Sequence, residues 1–264
     1  MKTTIKEIID CLEEIAPLDW QEDYDNAGLI VGNPLAECKG VLVCLDVFSS
    51  TVEEAIKKGC NLIVSHHPFI FHSLKKFPYE RETTKILSLA MKNDISIYAT
   101  HTNMDSSFEG VNFVLAKVLG LQNLTRLQTS SNEDKNYLGC GAIGELEKKT
   151  KTKEFLLQVK EKLSLKSIRY CGDIEKEIQK IGICGGSGAS FMQDAIENHC
   201  DCYLTGDIKY HDFLNSESRI IVADIGHYES EQFIKQRIIE IISKKISNFA
   251  NLFVSEQENR VKFL

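Results

Sequence analysis

The run Asn61-Leu62-Ile63-Val64-Ser65-His66-His67-Pro68 constrains this chain more than any other stretch. Leu62, Ile63 and Val64 form a short apolar run that reads as a buried strand. Pro68 stops it, because proline has no amide hydrogen to give a ladder. Upstream, Val41-Leu42-Val43-Cys44-Leu45-Asp46 reads as a second buried strand. Ser49 or Ser50 then caps a helix carrying Val52, Ala55 and Ile56, which Gly59 closes. Residues 41–66 are therefore a strand–helix–strand unit, expected to be parallel and right-handed. Ligands of open parallel sheets collect beyond the carboxyl ends of the strands. His66 and His67 fall at such an end, and neutral imidazole is the commonest protein ligand for transition metals. A lone His-His pair also fits a polar loop, so its meaning depends on what the other strand ends carry.

The chain begins with a helix. Thr4 and Glu7 make a capping box, Ile5, Ile8, Ile9, Leu12 and Ile15 recur at helical spacing, and Pro17 ends it. Tyr24 to Pro34 comes next as an acidic turn, a short apolar run and a Gly-Asn-Pro stop, in which Asp25 and Asn26 are chiefly turn formers. Beyond a loop at 69–79, Glu80 to Asn93 is an amphipathic helix. Ile95 to Ala99 is a third strand, ending in Thr100-His101-Thr-Asn-Met-Asp105, and Gly110 to Leu119 is again helical. The polar stretch 122–136 suggests a boundary between 1–125 and 126–264.

The second half echoes the first. Ala55 to Ser65 aligns with Ala195 to Thr205 at a constant offset of 140, so that Gly206-Asp207 stands where the first copy has His66-His67. The strand Ile181 to Cys184 runs into Gly185-Gly186-Ser187-Gly188 before a helix. That turn suits tight helix–strand packing, and less well a phosphate cradle, because the P-loop lysine is missing. Arg219 to Asp224 is a last core strand. It leads to His227 and Glu231, four apart and so on one face of the start of a long helix. Residues 251–254 and 261–264 are expected to close the chain as a hairpin of edge strands.

Composition excludes several classes. The 264 residues carry a net charge of −7, against a broad nucleic-acid or anionic-membrane surface. No apolar run approaches the roughly 20 residues of a membrane helix, and no signal-peptide pattern opens the chain. Nine cysteines without a C-x-x-C suggest small buried hydrophobes in a reducing, cytoplasmic setting. Cys44, Cys171, Cys184 and Cys202 sit in apolar runs, and Cys200-x-Cys202 is only a weak metal candidate.

Three strand ends thus carry His66-His67, His101 with Asp105, and His227 with Glu231. Four histidines and two carboxylates suit Zn, Fe, Mn, Ni or Co. Two such ions can polarise a substrate oxygen and lower the pKa of water to about 7. His72 and His199 read as loop and helix-end residues, while His211 stands one turn into a helix and could line the same cleft.

These motifs, with Asp25-Asn26-Ala27-Gly28-Leu29-Ile30-Val31-Gly32 and Thr205-Gly206-Asp207-Ile-Lys-Tyr-His211, appear in one order along nearly the whole chain. In this the sequence resembles the Nif-three-like dinuclear-metal hexameric proteins, the GTP cyclohydrolase type-two homologue family. Tyr24 stands where the family usually has tryptophan. The resemblance implies two related α/β layers with mostly parallel sheets, packed as one Nif-three-like domain without the inserted middle domain of longer members. It places the metal site at the strand carboxyl ends between the layers. It implies two divalent metal ions per chain, on His66, His67, Asp105, His227 and Glu231, with Glu231 as the bridge. His101 maps to an extra ligand or a proton carrier. It also implies a toroidal homohexamer acting on a small molecule. Two functions are compatible with it: a metal-dependent hydrolase opening a nucleotide or related heterocycle, with His101 and Glu231 catalytic, or a metal-binding, metal-delivery or regulatory protein without turnover.

Overall fold

The computed structural model describes residues 2–128, 139–216 and 219–264. In chain order the first elements are α1 (Ile5–Glu13), β1 (Gly28–Val31), β2 (Val41–Cys44), α2 (Ser49–Lys58), β3 (Leu62–Ser65), α3 (Glu82–Lys92), β4 (Ser96–Ala99) and α4 (Thr102–Asp105). Then come α5 (Val111–Leu119), β5 (Gln122–Arg126), β6 (Ala142–Lys151), α6 (Thr152–Lys162), β7 (Arg169–Cys171), β8 (Glu177–Ile183), α7 (Met192–Glu197) and β9 (Cys202–Thr205). The chain finishes with α8 (Tyr210–Leu214), β10 (Ile221–Asp224), α9 (His227–Glu231), α10 (Ile234–Lys245) and β11 (Leu252–Val254). Among the described residues no helix is long and apolar enough to cross a membrane.

The chain divides into two compact units, 1–104 with 234–260, and 105–233 with 261–264. This differs from a boundary at 125/126. The helix α5 buries Phe113, Leu115, Ala116 and Leu119 in the core of the second unit, so the chain changes unit before it. At the far end, α10 returns to the first unit, because its apolar face packs against β2 and α1. From residue 129 to 136, the polar stretch expected as a boundary lies outside the described residues; its start, 122–126, is the strand β5.

The first unit holds a sheet in the order β1-β4-β3-β2-β11. The strands β4, β3, β2 and β11 run parallel, and β1 is antiparallel at the edge. The strands flanking α2 pair in parallel, as read from 41–66, with Gly59 left-handed at φ 71° where α2 must stop. Leu42, Cys44, Ile63 and Ile97 meet Val52 and Ala55 of α2 and Ile86 and Ala90 of α3 on one face. The expected capping box is present: Thr4 Oγ1 accepts from the Glu7 amide at 3.3 Å, and Glu7 Oε2 accepts from the Thr4 amide at 2.6 Å. The hairpin expected for the last residues does not form. The strand β11 adds in parallel to β2, and 261–264 make no strand.

The second unit holds the order β5-β6-β8-β9-β10-β7, with β8, β9 and β10 parallel and antiparallel strands outside them. Its strands β9 and β10 are buried on both faces. Cys202 and Leu204 of β9 face one core with Phe155 and Val159 of α6, and Tyr203 faces another with Met192 and Ala195 of α7. The repeat seen in the sequence is a repeat of structure. Cys60 donates its amide to Ala55 O and Cys200 to Ala195 O, both at 2.9 Å; Asn61 reaches Gly40 O and Asp201 reaches Lys180 O. The helix expected to start near His227 is two helices, α9 and α10. The buried side of α9 is polar, Ser230 and Glu231, whereas α10 buries Ile234, Ile238, Ile241 and Ile242, and the two helices belong to different units.

Candidate metal centre

In the first unit, Cys44, Ser65 and Ala99 are in register across β2, β3 and β4. Asp46, His67 and His101 each lie two residues beyond that line, so parallel pairing alone brings them to one end of the sheet. The ladder carries on past the strands: His66 N donates to Cys44 O at 3.1 Å, His67 N to Leu45 O at 2.9 Å and Thr100 N to Ser65 O at 2.9 Å. The acidic turn arrives by topology. Because β1 is antiparallel to β4, with Gly28 opposite Ala99, the residues just before β1 lie beside the residues just after β4.

The ring centroids of His66, His67 and His101 are 4.9, 5.3 and 5.5 Å apart, and one nitrogen from each lies within 4.8 Å of the others. Every Nδ1 is engaged by an oxygen. His66, fully buried, donates from Nδ1 to Thr100 O at 2.8 Å; a carbonyl only accepts, so the proton sits on Nδ1. His67 Nδ1 pairs with Asp46 Oδ1 at 2.9 Å, and His101 Nδ1 with Asp25 Oδ1 at 2.7 Å. Asp25 also accepts from the Thr102 amide and hydroxyl and from the Asn26 amide. Burial alone would raise its pKa, but the His101 ring and these donors outweigh burial and bring it down to about 2. Asp25 is thus a fixed anion that orients His101. Each Nδ1 bond leaves the lone pair on Nε2, the arrangement by which carboxylates and carbonyls orient histidines in metal sites generally.

The second unit repeats the device. The strands β8, β9 and β10 end together, with Ile183 opposite Leu204 and Thr205 opposite Asp224. From these ends depart the Gly185–Gly188 turn, Asp207, and His227. His227 Nδ1 pairs with Asp207 Oδ2 at 2.7 Å, and His227 Nε2 lies 3.1 Å from Glu231 Oε2. With Nδ1 protonated toward Asp207, the neutral ring and Glu231 present two lone pairs to each other, and a cation or a proton is needed where they meet. Glu231 is buried and reaches this point from one turn into α9. Asp105 closes α4, half-buried, with its carbonyl accepting from Asn112 Nδ2 at 3.1 Å. The Cys140 thiol beside it and its burial push the Cys184 thiol well up, and the Asp105 and Glu231 carboxylates add to this from nearby.

The glycine turn serves this packing. A Cβ on Gly186 (φ 64°) would stand 2.2 Å from Glu231 Oε1, and one on Gly185 would stand 2.7 Å from Val111 Cγ1. The turn amides are spent internally: Gly185 donates to Asn112 Oδ1, Gly186 to Ser230 Oγ and Gly188 to Thr205 Oγ1. A phosphate cradle would need those amides, so the nucleotide reading of this turn is corrected. His211 is exposed on α8 beside Tyr210, and His72 is exposed beside Phe71. Cys200 and Cys202 enter different core clusters and make no metal pair.

The structure thus gathers His66, His67 and His101 in one unit and His227 with Glu231 in the other. Asp25, Asp46, Asp207 and the Thr100 carbonyl were not identified as orienting groups from sequence. Two of them had a signal. Asp46 has the same offset past its strand as His67 and His101, and Asp207 occupies the place of His67 in the repeat.

The Duf34/NIF3 (NGG1p interacting factor 3) family model matches residues 3–260. A Clostridium acetobutylicum protein called GTP cyclohydrolase 1 type 2 homolog is 34% identical over 232 residues, 88% of this chain and 86% of its own length. A Staphylococcus aureus hypothetical protein of known structure superposes with a TM-score of 0.92 at 27% identity, covering 100% of both chains. A Bacillus cereus protein related to NIF3 shares the fold, with a TM-score of 0.93 at 24% identity and 100% of both chains covered.

Proposed function

The chain belongs to the Duf34/NIF3 family, and from that premise we propose that it is a dinuclear metal-dependent hydrolase acting on a nucleotide or related heterocycle. Two divalent ions, of Zn, Fe, Mn, Ni or Co, would be held by His66, His67, Asp105, His227 and Glu231, with Glu231 assigned to both ions. One observation carries the reading. All four strand-end histidines have Nδ1 tied to an oxygen, so all four offer Nε2 as a lone pair. Histidines serving only a core or a surface have no reason to share one tautomer. When bound, the ions supply Lewis acidity and acidify water at neutral pH.

The chain's own groups do the rest. Asp25 holds the His101 ring by Nδ1 and leaves Nε2 as the basic nitrogen, so His101 accepts a proton at Nε2 and returns it to the leaving nitrogen. The same turn offers a surface for a planar ring. Tyr24 and Phe71 are exposed with centroids 6.1 Å apart, and Phe71 stands edge-on to His101 at 6.0 Å. Asn26 Nδ2 fixes the Phe71 loop by donating to Ile70 O at 2.6 Å. Relatives called GTP cyclohydrolase 1 type 2 homolog support a purine as the first substrate to try. The assembly proposed is a toroidal homohexamer in the cytoplasm.

The test is metal analysis of purified protein, reconstitution of the chelated protein with Zn, Mn or Fe, and a turnover screen starting with GTP. Close to two ions per chain and chelator-sensitive ring opening are expected. Two ions without turnover on any heterocycle would move the reading to metal carriage. No uptake of any of the three metals would remove the site.

A further inference from the structure

Cys140 and Cys184 stand where the segment entering β6 passes the end of β8. Ala142 pairs with Ile183, so the two cysteines lie diagonally across the antiparallel ladder just beyond it. Their sulfurs are 3.7 Å apart. Cys184 is buried and Cys140 half-buried. Gly139 (φ 89°) and Gly141 (φ 78°) flank Cys140 in conformations that side chains other than glycine's resist, which gives the segment freedom to adjust. Among the described residues every cysteine is a free thiol.

We propose that Cys140 and Cys184 are a redox-active pair that closes a reversible disulfide and thereby displaces Asp105 and Glu231. Peroxide is the oxidant. The Cys140 sulfur attacks one peroxide oxygen, the O–O bond breaks, and a sulfenic acid and one water result. The Cys184 sulfur then attacks Cys140, the S–S bond forms, the S–O bond breaks, and the hydroxyl leaves as water with the Cys184 proton. In sum two thiols and one peroxide give one disulfide and two waters.

A disulfide needs sulfurs about 2.05 Å apart, so closure from 3.7 Å must move one or both strand ends. Two links carry that movement to the carboxylates. Cys184 leads directly into Gly185 and Gly186, whose missing side chains make the space that Glu231 fills. Asn112 joins the other three partners: its Nδ2 donates to Cys140 Sγ at 3.5 Å and to Asp105 O at 3.1 Å, and its Oδ1 accepts from Gly185 N at 2.8 Å. Oxidation therefore loosens the hold on metal, and reduction restores it. The second half of this inference rests on the proposed metal site, whereas the bridge does not.

The experiment uses the full chain, reduced, with zinc as a redox-inert probe. After hydrogen peroxide, peptide masses under non-reducing conditions should show a Cys140–Cys184 bridge that dithiothreitol reverses. C184S should instead leave a sulfenic acid at Cys140 that dimedone traps. Zinc affinity, read by a chromophoric chelator, should fall by about tenfold or more on oxidation of the wild type and stay unchanged in peroxide-treated C140S. Both cysteines remaining open to alkylation after peroxide, or a bridge between other cysteines, would overturn the pair. A bridge with unchanged zinc affinity would overturn the coupling. Reduced protein that binds no zinc would overturn the metal reading, with the peptide masses still deciding the bridge.

Discussion

Asp46 and Asp207 touch no reacting atom in the proposed mechanism, yet each holds the Nδ1 of a histidine whose Nε2 faces the site. An amide in place of either carboxylate keeps the size of the side chain and loses the charge that fixes the tautomer. Asp46→Asn and Asp207→Asn are each expected to weaken metal binding by about 10–100-fold, measured by chelator competition. Unchanged affinity in both would detach the Nδ1 bonds from metal binding. His101 and Asp25 are expected to behave differently. His101→Ala should keep most of the metal and lose turnover, because its role is to move a proton; His66→Ala and Glu231→Ala should each lose at least one ion by elemental analysis. A Glu231→Ala variant with wild-type metal content would remove the bridge assignment. Of these residues, the four histidines and Glu231 stood out in the sequence, since each closes a short apolar run or opens the helix after one. Asp25 was legible chiefly as a turn former, because its reach to His101 depends on β1 running antiparallel to β4.

At the scale of the element, the Gly185–Gly188 turn shows how a strand end can be shaped for a neighbour. Its glycines make room for α9 and for the carboxylate that α9 carries. In Gly186→Ala the new methyl meets the far end of a flexible side chain, so Glu231 gives way and the backbone stays. The left-handed φ adds about 1–2 kcal/mol. The expected outcome is a folded protein, with a modest loss of melting temperature by circular dichroism, that has lost metal by elemental analysis. Retention of full metal content would show that Glu231 does not need its present position. The elements themselves were unequally legible. The strands β2, β3, β4, β9 and β10 are continuous apolar runs, whereas β6 reads Ala-Ile-Gly-Glu-Leu-Glu-Lys-Lys-Thr-Lys and buries only its first residues. Pairing with β8 and β5, not its own composition, makes that stretch a strand.

For the whole molecule, the proposed assembly is a closed ring of six chains, and closed point groups are the usual solution for soluble homo-oligomers. Each unit has its own apolar core, so neither needs a neighbour merely to fold. Light scattering coupled to size exclusion should give a mass near six chains of 29.8 kDa, persisting at high salt. A monomer at micromolar concentration would refute the ring and leave the metal site open to macromolecular partners.

The sequence by itself determined the α/β class, the parallel strand–helix–strand unit at 41–66, the internal repeat and the histidines at the strand ends. All of these are local patterns: apolar runs of strand length, helical spacing, caps, and the polar residues at the end of each run. Tertiary structure alone decided which unit the ends of the chain join, since α10 and β11 are placed by the apolar faces they find on α1 and β2. It also decided that the helix beginning at His227 breaks before Ile234, and that Asp25, Asp46 and Asp207 stand behind the histidines. Those outcomes depend on register between strands distant in sequence, and the only trace such register leaves along the chain is an offset, as at Asp46 and Asp207.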